Sequence, residues 1–166
     1  MTNRPAPRHV VKVSANIEAD PALVYSIIAD YRDGHPHILP KAFSDLVVER
    51  GGTGAGTVIR FNVRVLGQTR AYRAAVTEPM PGRVLVERNV SGPPSVTTFT
   101  VDPGPGGQGA TVTIATELAT RSGLLGVVER ALSMRVLRPL YEGELVLLAA
   151  FARARQRPSS GSVATE

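Results

Sequence analysis

The sequence predicts an α+β domain in which a curved, seven-stranded antiparallel sheet wraps around one long C-terminal helix, with two short helices after the first strand. Three features support this fold class. Apolar and polar residues alternate in 9–18 and through most of 43–119, and the last apolar segment, 122–155, has helical spacing. A sheet and a helix that each carry an apolar face bury those faces against each other. A sheet that curves around a helix also leaves room for a pocket.

One domain accounts for residues 9–156. The 166-residue chain is 43% hydrophobic, which is enough for one substantial core, and it contains no internal repeat or linker. Residues 1–8 predict a loose leader with two prolines. Residues 157–166 are rich in serine, so they predict a disordered tail.

The first strand and the two short helices come before the main run of strands. Residues 9–18 alternate between apolar and polar side chains and predict a half-buried strand. Asp20 and Pro21 supply a helix N-cap and first helical residue, and the helical spacing that follows ends near Asp30. Residues 35–40 contain two prolines and predict at most one further helical turn.

Six further strands follow, separated by turns rich in glycine and proline. Loops this short join antiparallel neighbours, so the strands predict a meander that the first strand completes to seven. The predicted strands are 43–49, 57–66, 68–78, 83–90, 95–102 and 110–119.

The last segment, 122–155, predicts one long helix. Pro139 lies inside it and should kink the helix rather than end it, because the apolar pattern resumes afterwards. The half beyond the proline is apolar on more than one side, which indicates a doubly covered helix or a homodimer interface. The predicted buried stripe consists of Leu125, Val128, Leu132, Val136, Leu140 and Leu147.

Composition excludes several classes of protein. The chain has no cysteine, so it forms no disulfide or zinc–thiolate site. Its net charge is +5, but the arginines are spread along the whole chain, so we expect no nucleic-acid partner. The chain start lacks a secretory apolar core, and the longest apolar run, 145–152, is far shorter than the ~20 residues that span a bilayer. We therefore expect a cytoplasmic protein without a transmembrane segment.

Two motifs suggest a cofactor or a metal, and neither is convincing. The segment 104–109 matches GxGxxG, but a strand rather than a helix follows it, so it predicts a hairpin loop and no dinucleotide. Asp33, His35 and His37 are candidate metal ligands, but His9 is the only other histidine and no acidic cluster lies nearby in sequence, so we interpret them as part of a solvated loop at a pocket mouth. A proton-shuttling histidine stays open as an alternative. No GxSxG, HExxH, P-loop or CxxC motif is present.

Three polar residues are candidates for orienting a ligand. Arg88 alternates in step with three valines of its strand, which predicts that it points inward to an anionic or phenolic ligand group. The alternative is a register shift that places Glu87 and Asn89 inside. Tyr72 is either a ligand contact or part of the core. Glu144 is either an acid, base or hydrogen-bond partner in the cavity or a solvated position.

Short segments of the sequence also resemble a known family. They are Ala-Asp-Pro-Ala-Leu-Val-Tyr at 19–25, Val-Val-Glu-Arg-Gly at 47–51, and Tyr-Arg-Ala-Ala-Val-Thr-Glu at 72–78 followed by Pro-Gly-Arg-Val at 81–84. Together with the order of elements over about 9–155, they resemble the START-like (SRPBCC) superfamily with its helix-grip fold. The polyketide cyclase/dehydrase and lipid transport branch is the most similar. Many relatives carry an aromatic residue where this chain has His35 or His37.

The resemblance implies a deep cavity between the sheet and the long helix. Members bind lipids, sterols or polyketides, and some catalyse cyclisation or dehydration there. The first hypothesis is therefore binding of an apolar or amphipathic small molecule without a cofactor. The alternatives are a polyketide cyclase/aromatase or dehydratase, and an interaction module that uses the basic helix surface. The predicted ligand-binding residues are Ile59, Phe61, Val63, Tyr72, Val76, Arg88, Phe99, Ile114, Val136, Leu140, Tyr141, Glu144 and Leu148.

Overall fold

A computed structural model describes residues 8–92, 94–120 and 123–156. The predicted disordered tail and all but the last residue of the predicted leader lie outside these ranges. Single 3₁₀ turns occur at His35–His37 and Pro105–Gly107. The elements in chain order are β1 (Arg8–Ile17), α1 (Pro21–Ala29), β2 (Phe43–Arg50), β3 (Val58–Val65), β4 (Gln68–Met80), β5 (Val84–Asn89), β6 (Ser95–Pro103), β7 (Ala110–Ala119) and α2 (Gly123–Gln156).

The seven strands form one antiparallel sheet in the order β1-β7-β6-β5-β4-β3-β2. Six of the strands follow each other as a meander, and β1 closes the far edge by pairing with β7 from Arg8↔Ala119 to Ile17↔Ala110. Register shifts interrupt the ladder between β2 and β3 and again between β4 and β5. Such bulges bend and twist a sheet. The predicted curved seven-stranded sheet around a C-terminal helix is confirmed.

The sequence signals around α1 act as predicted. The Asp20 carboxylate accepts hydrogen bonds from the backbone N–H groups of Ala22 (2.8 Å) and Leu23 (3.2 Å), which caps the helix. The helix ends at Asp30, where the backbone becomes extended. The Asp30 carboxylate then accepts from the Arg32 and Asp33 N–H groups at 3.0 and 3.1 Å, and so shapes the turn toward the next 3₁₀ segment.

Helix α2 runs unbroken through Pro139, but its two halves differ in burial. The C-terminal half packs into the core through Tyr141, Leu145, Leu148 and Ala152. The predicted buried stripe is wrong, because four of its six residues lie on the surface and the other two, Val136 and Leu140, are half-buried. The homodimer predicted through this helix stays a prediction. The stripe residues on the surface are Leu125, Val128, Leu132 and Leu147, which are 62%, 58%, 46% and 37% exposed.

The GxGxxG segment is the predicted hairpin loop, and it joins β6 to β7. Its two ends are held together by a hydrogen bond from the Gly104 N–H to the Gly109 carbonyl oxygen (2.9 Å). Gly106 and Gly109 both have φ of +65°. A Cβ atom on Gly109 would fall against the carbonyl oxygen of Ile17 at the end of β1, well inside van der Waals contact, whereas one on Gly106 would meet open space.

We expect Gly109→Ala to destabilise the protein more than Gly106→Ala. Both variants place alanine in the left-handed region, which costs about 1–2 kcal/mol. Only Gly109→Ala adds the clash with Ile17, so its loss in unfolding free energy should be larger by at least about 1 kcal/mol. Urea titrations monitored by circular dichroism compare the two variants. Equal losses would contradict the close approach of this loop to β1.

Candidate functional site

A cavity of about 140 Å³ lies between the concave face of the sheet, the 3₁₀ turn at His35–His37 and the middle of α2. Strands β3 to β7 and the start of β2 supply its sheet side. A cavity of this size accommodates one six-membered ring. The predicted residues that line it are Ile59, Phe61, Val63, Tyr72, Phe99, Leu140, Tyr141 and Glu144.

The other predicted residues lie elsewhere. Val76, Ile114 and Leu148 are buried in the core without lining the cavity, and Val136 lines the neighbouring groove. Arg88 lies on the exposed face of β5. The cavity is also lined by residues that were not predicted from the sequence to bind a ligand. They are His35, Leu39, Phe43, Leu46, Val65, Glu87, Ser95, Thr97, Thr116 and Leu137.

The cavity has a closed inner end and an open outer end. At the inner end His35, Thr116, Tyr141 and Glu144 are buried, while the lining side chains of β3 and β4 toward the hairpin are half-buried. A groove of about 400 Å³ adjoins the outer end and shares four lining residues with the cavity. A ligand can therefore place one ring inside and extend along the groove. The shared residues are Val63, Val65, Tyr72 and Leu137.

The outer walls carry aromatic side chains that pack against one another. The rings of Phe43 and Phe61 are 6.0 Å apart, and those of Phe61 and Tyr72 are 5.7 Å apart and nearly parallel. Tyr72 is half-buried and lines both the cavity and the groove. These rings form an apolar surface against which a planar ligand can stack.

Arg88 does not point inward as the pattern of valines predicted. Leu85 pairs with Phe99 of β6, and both are buried in the core. Because side chains alternate along a strand, Glu87 shares the inner face with Leu85, and Arg88 points to solvent. The structure shows the alternative orientation, in which Glu87 points inward. Sequence counting failed here because the outer face of β5 is itself rich in valine.

Glu87 is held by a tyrosine at the inner end of the cavity. The Tyr31 hydroxyl donates to Glu87 Oε1 at 2.6 Å. His35 Nε2 lies 3.9 Å from the same oxygen, and the His35 ring stacks on Tyr31 with 4.6 Å between centroids. Burial and the negative charge of Glu87 raise the pKa of Tyr31 well above its ordinary value, so its proton stays on the phenol and fixes the Glu87 carboxylate.

His35 is buried, so the prediction of a solvated loop is wrong for this residue. Its side chain is 4% exposed and packs edge-on against Phe99. His35 Nδ1 lies 2.8 Å from the carbonyl oxygen of Ile28, which only accepts, so Nδ1 carries a proton. Nε2 is therefore the ring nitrogen that faces Glu87. His37 is exposed, as predicted, and stacks on Phe151.

A second set of hydroxyls lies on β6, β7 and α2. The Thr116 hydroxyl is 2.5 Å from the Tyr141 hydroxyl and 2.8 Å from that of Thr97. Burial raises the pKa of Tyr141 to about 12. These three groups are neutral donors and acceptors over the physiological pH range, and all three line the cavity.

Glu144 is buried rather than solvated. It is 3% exposed, it lines the cavity, and its Oε1 has no hydrogen-bond partner in the described part of the chain. Burial first, and the negative charge of Glu87 second, raise its pKa well above 4.5. The site therefore combines a carboxyl group that favours its protonated form with a nearby carboxylate. Paired carboxyl groups held in such different environments are typical of acid–base sites.

The described ranges 8–92, 94–120 and 123–156 lack two features. They contain no group of three or more histidine, aspartate or glutamate side chains placed to hold a metal ion. No helix in them has the length and apolar character that crossing a bilayer requires.

Comparisons with known proteins point to one family. The sequence profile described as "Polyketide cyclase / dehydrase and lipid transport" matches residues 8–153. Among proteins with curated descriptions, none matches the chain in sequence. Similar solved structures include the KanY protein, with 26% identity, a TM-score of 0.77, and coverage of 89% of this chain and 99% of KanY.

Two further structures share the fold. The Zhui aromatase/cyclase from Streptomyces sp. R1128 has 18% identity and a TM-score of 0.76, over 93% of this chain and 99% of its own. The di-domain ARO/CYC protein StfQ from the steffimycin biosynthetic pathway has 17% identity and a TM-score of 0.73, over 89% of this chain and 52% of its own. At these identities the likeness is one of fold.

Proposed function

Because the chain belongs to the polyketide cyclase/dehydrase and lipid transport family, we propose that it binds a polyketide-like small molecule in the cavity and catalyses its dehydration or cyclisation. The observation that carries this proposal is the buried Glu144, whose Oε1 has no partner in the described chain and which lines the cavity. A site that only holds an apolar ligand gains nothing from an unpaired buried carboxyl group, which costs free energy in the folded protein.

Binding rests on the apolar walls. Burial of a ligand ring against Ile59, Phe61 and Leu140 removes apolar surface from water, and each Å² contributes about 25 cal/mol before the entropy cost of association. The adjoining groove extends the contact for a longer molecule. Polyketide-like molecules match this arrangement because they combine apolar carbon chains or rings with regularly spaced oxygen atoms.

Glu144 acts as the acid. Its raised pKa keeps the carboxyl group protonated, so it donates a hydrogen bond to a ligand oxygen at the inner end. In a β-hydroxy ketone this oxygen is the β-hydroxyl, which leaves as water after it takes the Glu144 proton. Donation at the buried inner end of the cavity is stronger than in water because the surroundings screen charge poorly.

Glu87 acts as the base. Tyr31 orients its carboxylate, and the carboxylate removes the proton from the ligand carbon next to the ketone. The electron pair of the broken C–H bond forms the new carbon–carbon double bond as the carbon–oxygen bond breaks. The proton on Glu87 then returns to Glu144, which regenerates both groups. One water is released, and no oxidant or reductant is consumed.

Dehydration of 4-hydroxy-4-phenylbutan-2-one tests the proposal, because its conjugated product absorbs ultraviolet light that the substrate does not. We expect the wild type to accelerate the reaction and Glu144→Gln to lose about a hundredfold or more of the rate. Glu142→Gln is the matched control, since Glu142 is exposed, lies on the same helix and pairs with Arg138. An equal rate in Glu144→Gln and wild type would contradict the proposed acid.

Binding without catalysis is the second candidate, and it is favoured by the predominantly apolar lining and the apolar groove. Native mass spectrometry of the purified protein, searching for a co-purifying apolar molecule, tests it. A retained ligand together with no acceleration of the dehydration would favour this candidate. Retention of no ligand, together with a dehydration rate that depends on Glu144, would favour the enzyme.

A further inference from the structure

The charges at the inner end of the cavity indicate which chemical groups of a ligand can bind there. This inference rests on the proposed function. We infer that this end accepts a hydrogen-bond donor, either an uncharged hydroxyl or a protonated amine, and rejects a carboxylate. The ligand class is thus a neutral or cationic amphipathic molecule whose polar end enters first. Free carboxylic acids, including fatty acids, are excluded from that orientation.

The ionisable side chains at the inner end of the cavity are mainly acidic. Two carboxyl groups, Glu87 and Glu144, reach the inner end, and no lysine or arginine lines the cavity within the described residues. His35 is the basic side chain there, and it faces Glu87 already. The protein as a whole carries a net charge of +5, so its surface attracts anions that this cavity does not suit.

The carboxyl oxygens at the inner end have room for further hydrogen bonds. Oε1 of Glu144 is buried without a partner among the described residues. Glu87 accepts one hydrogen bond from Tyr31, whereas a carboxylate has room for about four. A ligand hydroxyl or ammonium supplies donors to these oxygens. A ligand carboxylate supplies no donor: it could accept from the protonated Glu144, but it leaves the oxygens of Glu87 unsatisfied.

The negative charge at the inner end also opposes the entry of an anion. The negative charge of Glu87 already disfavours ionisation of Glu144 in this apolar site. A ligand carboxylate would add another negative charge beside Glu87 and would also lose its hydration, and both effects oppose binding. An ammonium loses its hydration too, but it gains a carboxylate partner.

Three ligands of nearly equal shape test this inference by titration calorimetry near neutral pH: 2-naphthylmethanol, 2-naphthylmethylamine and 2-naphthoate. We expect the alcohol and the amine each to bind at least about tenfold more tightly than the carboxylate. Binding of 2-naphthoate within about threefold of either, or tighter, would overturn the charge selection. Failure of all three to bind would remove the cavity as a binding site and the proposed function with it.

An isosteric variant assigns the effect to the negative charge of Glu87. In Glu87→Gln, the ratio of alcohol to carboxylate affinity should fall toward one, because the change removes that charge without a change of shape. Glu142→Gln is the control and should keep the wild-type ratio. An unchanged ratio in Glu87→Gln would place the discrimination elsewhere and overturn the inference.

Discussion

Replacement of Glu144 by glutamine is expected to increase the free energy of unfolding at neutral pH, and the gain should grow as the pH rises. Glutamine keeps the shape of the side chain and cannot ionise. The wild-type carboxyl group is buried, its Oε1 has no hydrogen-bond partner in the described chain, and its ionisation is opposed by the charge of Glu87. The substitution therefore removes a group whose charged form the fold disfavours.

The sign of the pH dependence follows from the raised pKa of Glu144. In the unfolded chain the carboxyl group loses its proton near its ordinary value of 4.5, whereas in the folded protein it retains the proton to higher pH. The folded state therefore binds more protons than the unfolded state between the two pKa values, and stability falls as the pH rises through that interval. Each unit of pKa difference corresponds to about 1.4 kcal/mol.

Urea denaturation of wild type and Glu144→Gln at a series of pH values from about 4 to about 9 measures this difference. The upper limit keeps the buried tyrosines out of the comparison, because Tyr31 and Tyr141 hold their protons to higher pH. Near the lower limit the two proteins should have similar stability. Glu142→Gln should differ from wild type by less than about 1 kcal/mol throughout, since an exposed ion pair contributes little. A constant difference between Glu144→Gln and wild type would contradict a raised pKa.

The succession of elements could be predicted from the sequence because each rests on local signals. The alternation in β1, the cap at Asp20 and the hairpin loop 104–109 depend on residues a few positions apart, and the structure has all three. Antiparallel order followed from the shortness of the loops. The family resemblance added the position of the cavity between the sheet and α2.

The residues that line the site were harder to predict, because the direction in which a side chain points and its burial both depend on residues that are distant in the sequence. β5 carries apolar residues on both faces, so alternation alone could not place Arg88 outside and Glu87 inside. Pairing of Leu85 with Phe99 decides the facing, and no local pattern encodes that pairing. Likewise α2 is apolar on several sides, and its first half borders the groove rather than the core, which the helical spacing could not show.

The two histidines of the 3₁₀ turn illustrate the same limit and lead to a second prediction. His35 and His37 are separated by one proline, yet His35 is buried between Tyr31 and Phe99 while His37 is exposed. We expect His35→Ala to lower the free energy of unfolding by about 3 kcal/mol or more, because it leaves a cavity and removes a buried hydrogen bond. His37→Ala should lower it by less than about 1 kcal/mol, since it loses only an exposed stacking contact with Phe151.

A third variant separates the two contributions of His35. His35→Phe retains a ring that can stack on Tyr31, but it removes the Nδ1–H group that donates to the Ile28 carbonyl oxygen near the end of α1. The decrease in unfolding free energy for His35→Phe should therefore lie between those for His35→Ala and His37→Ala, at about 1–3 kcal/mol for the unsatisfied carbonyl group. Thermal or urea unfolding of the three variants gives the order. Equal losses in His35→Ala and His37→Ala would mean that the turn is solvated at both positions, and Glu87 would then lack the buried imidazole that lies beside it in the cavity.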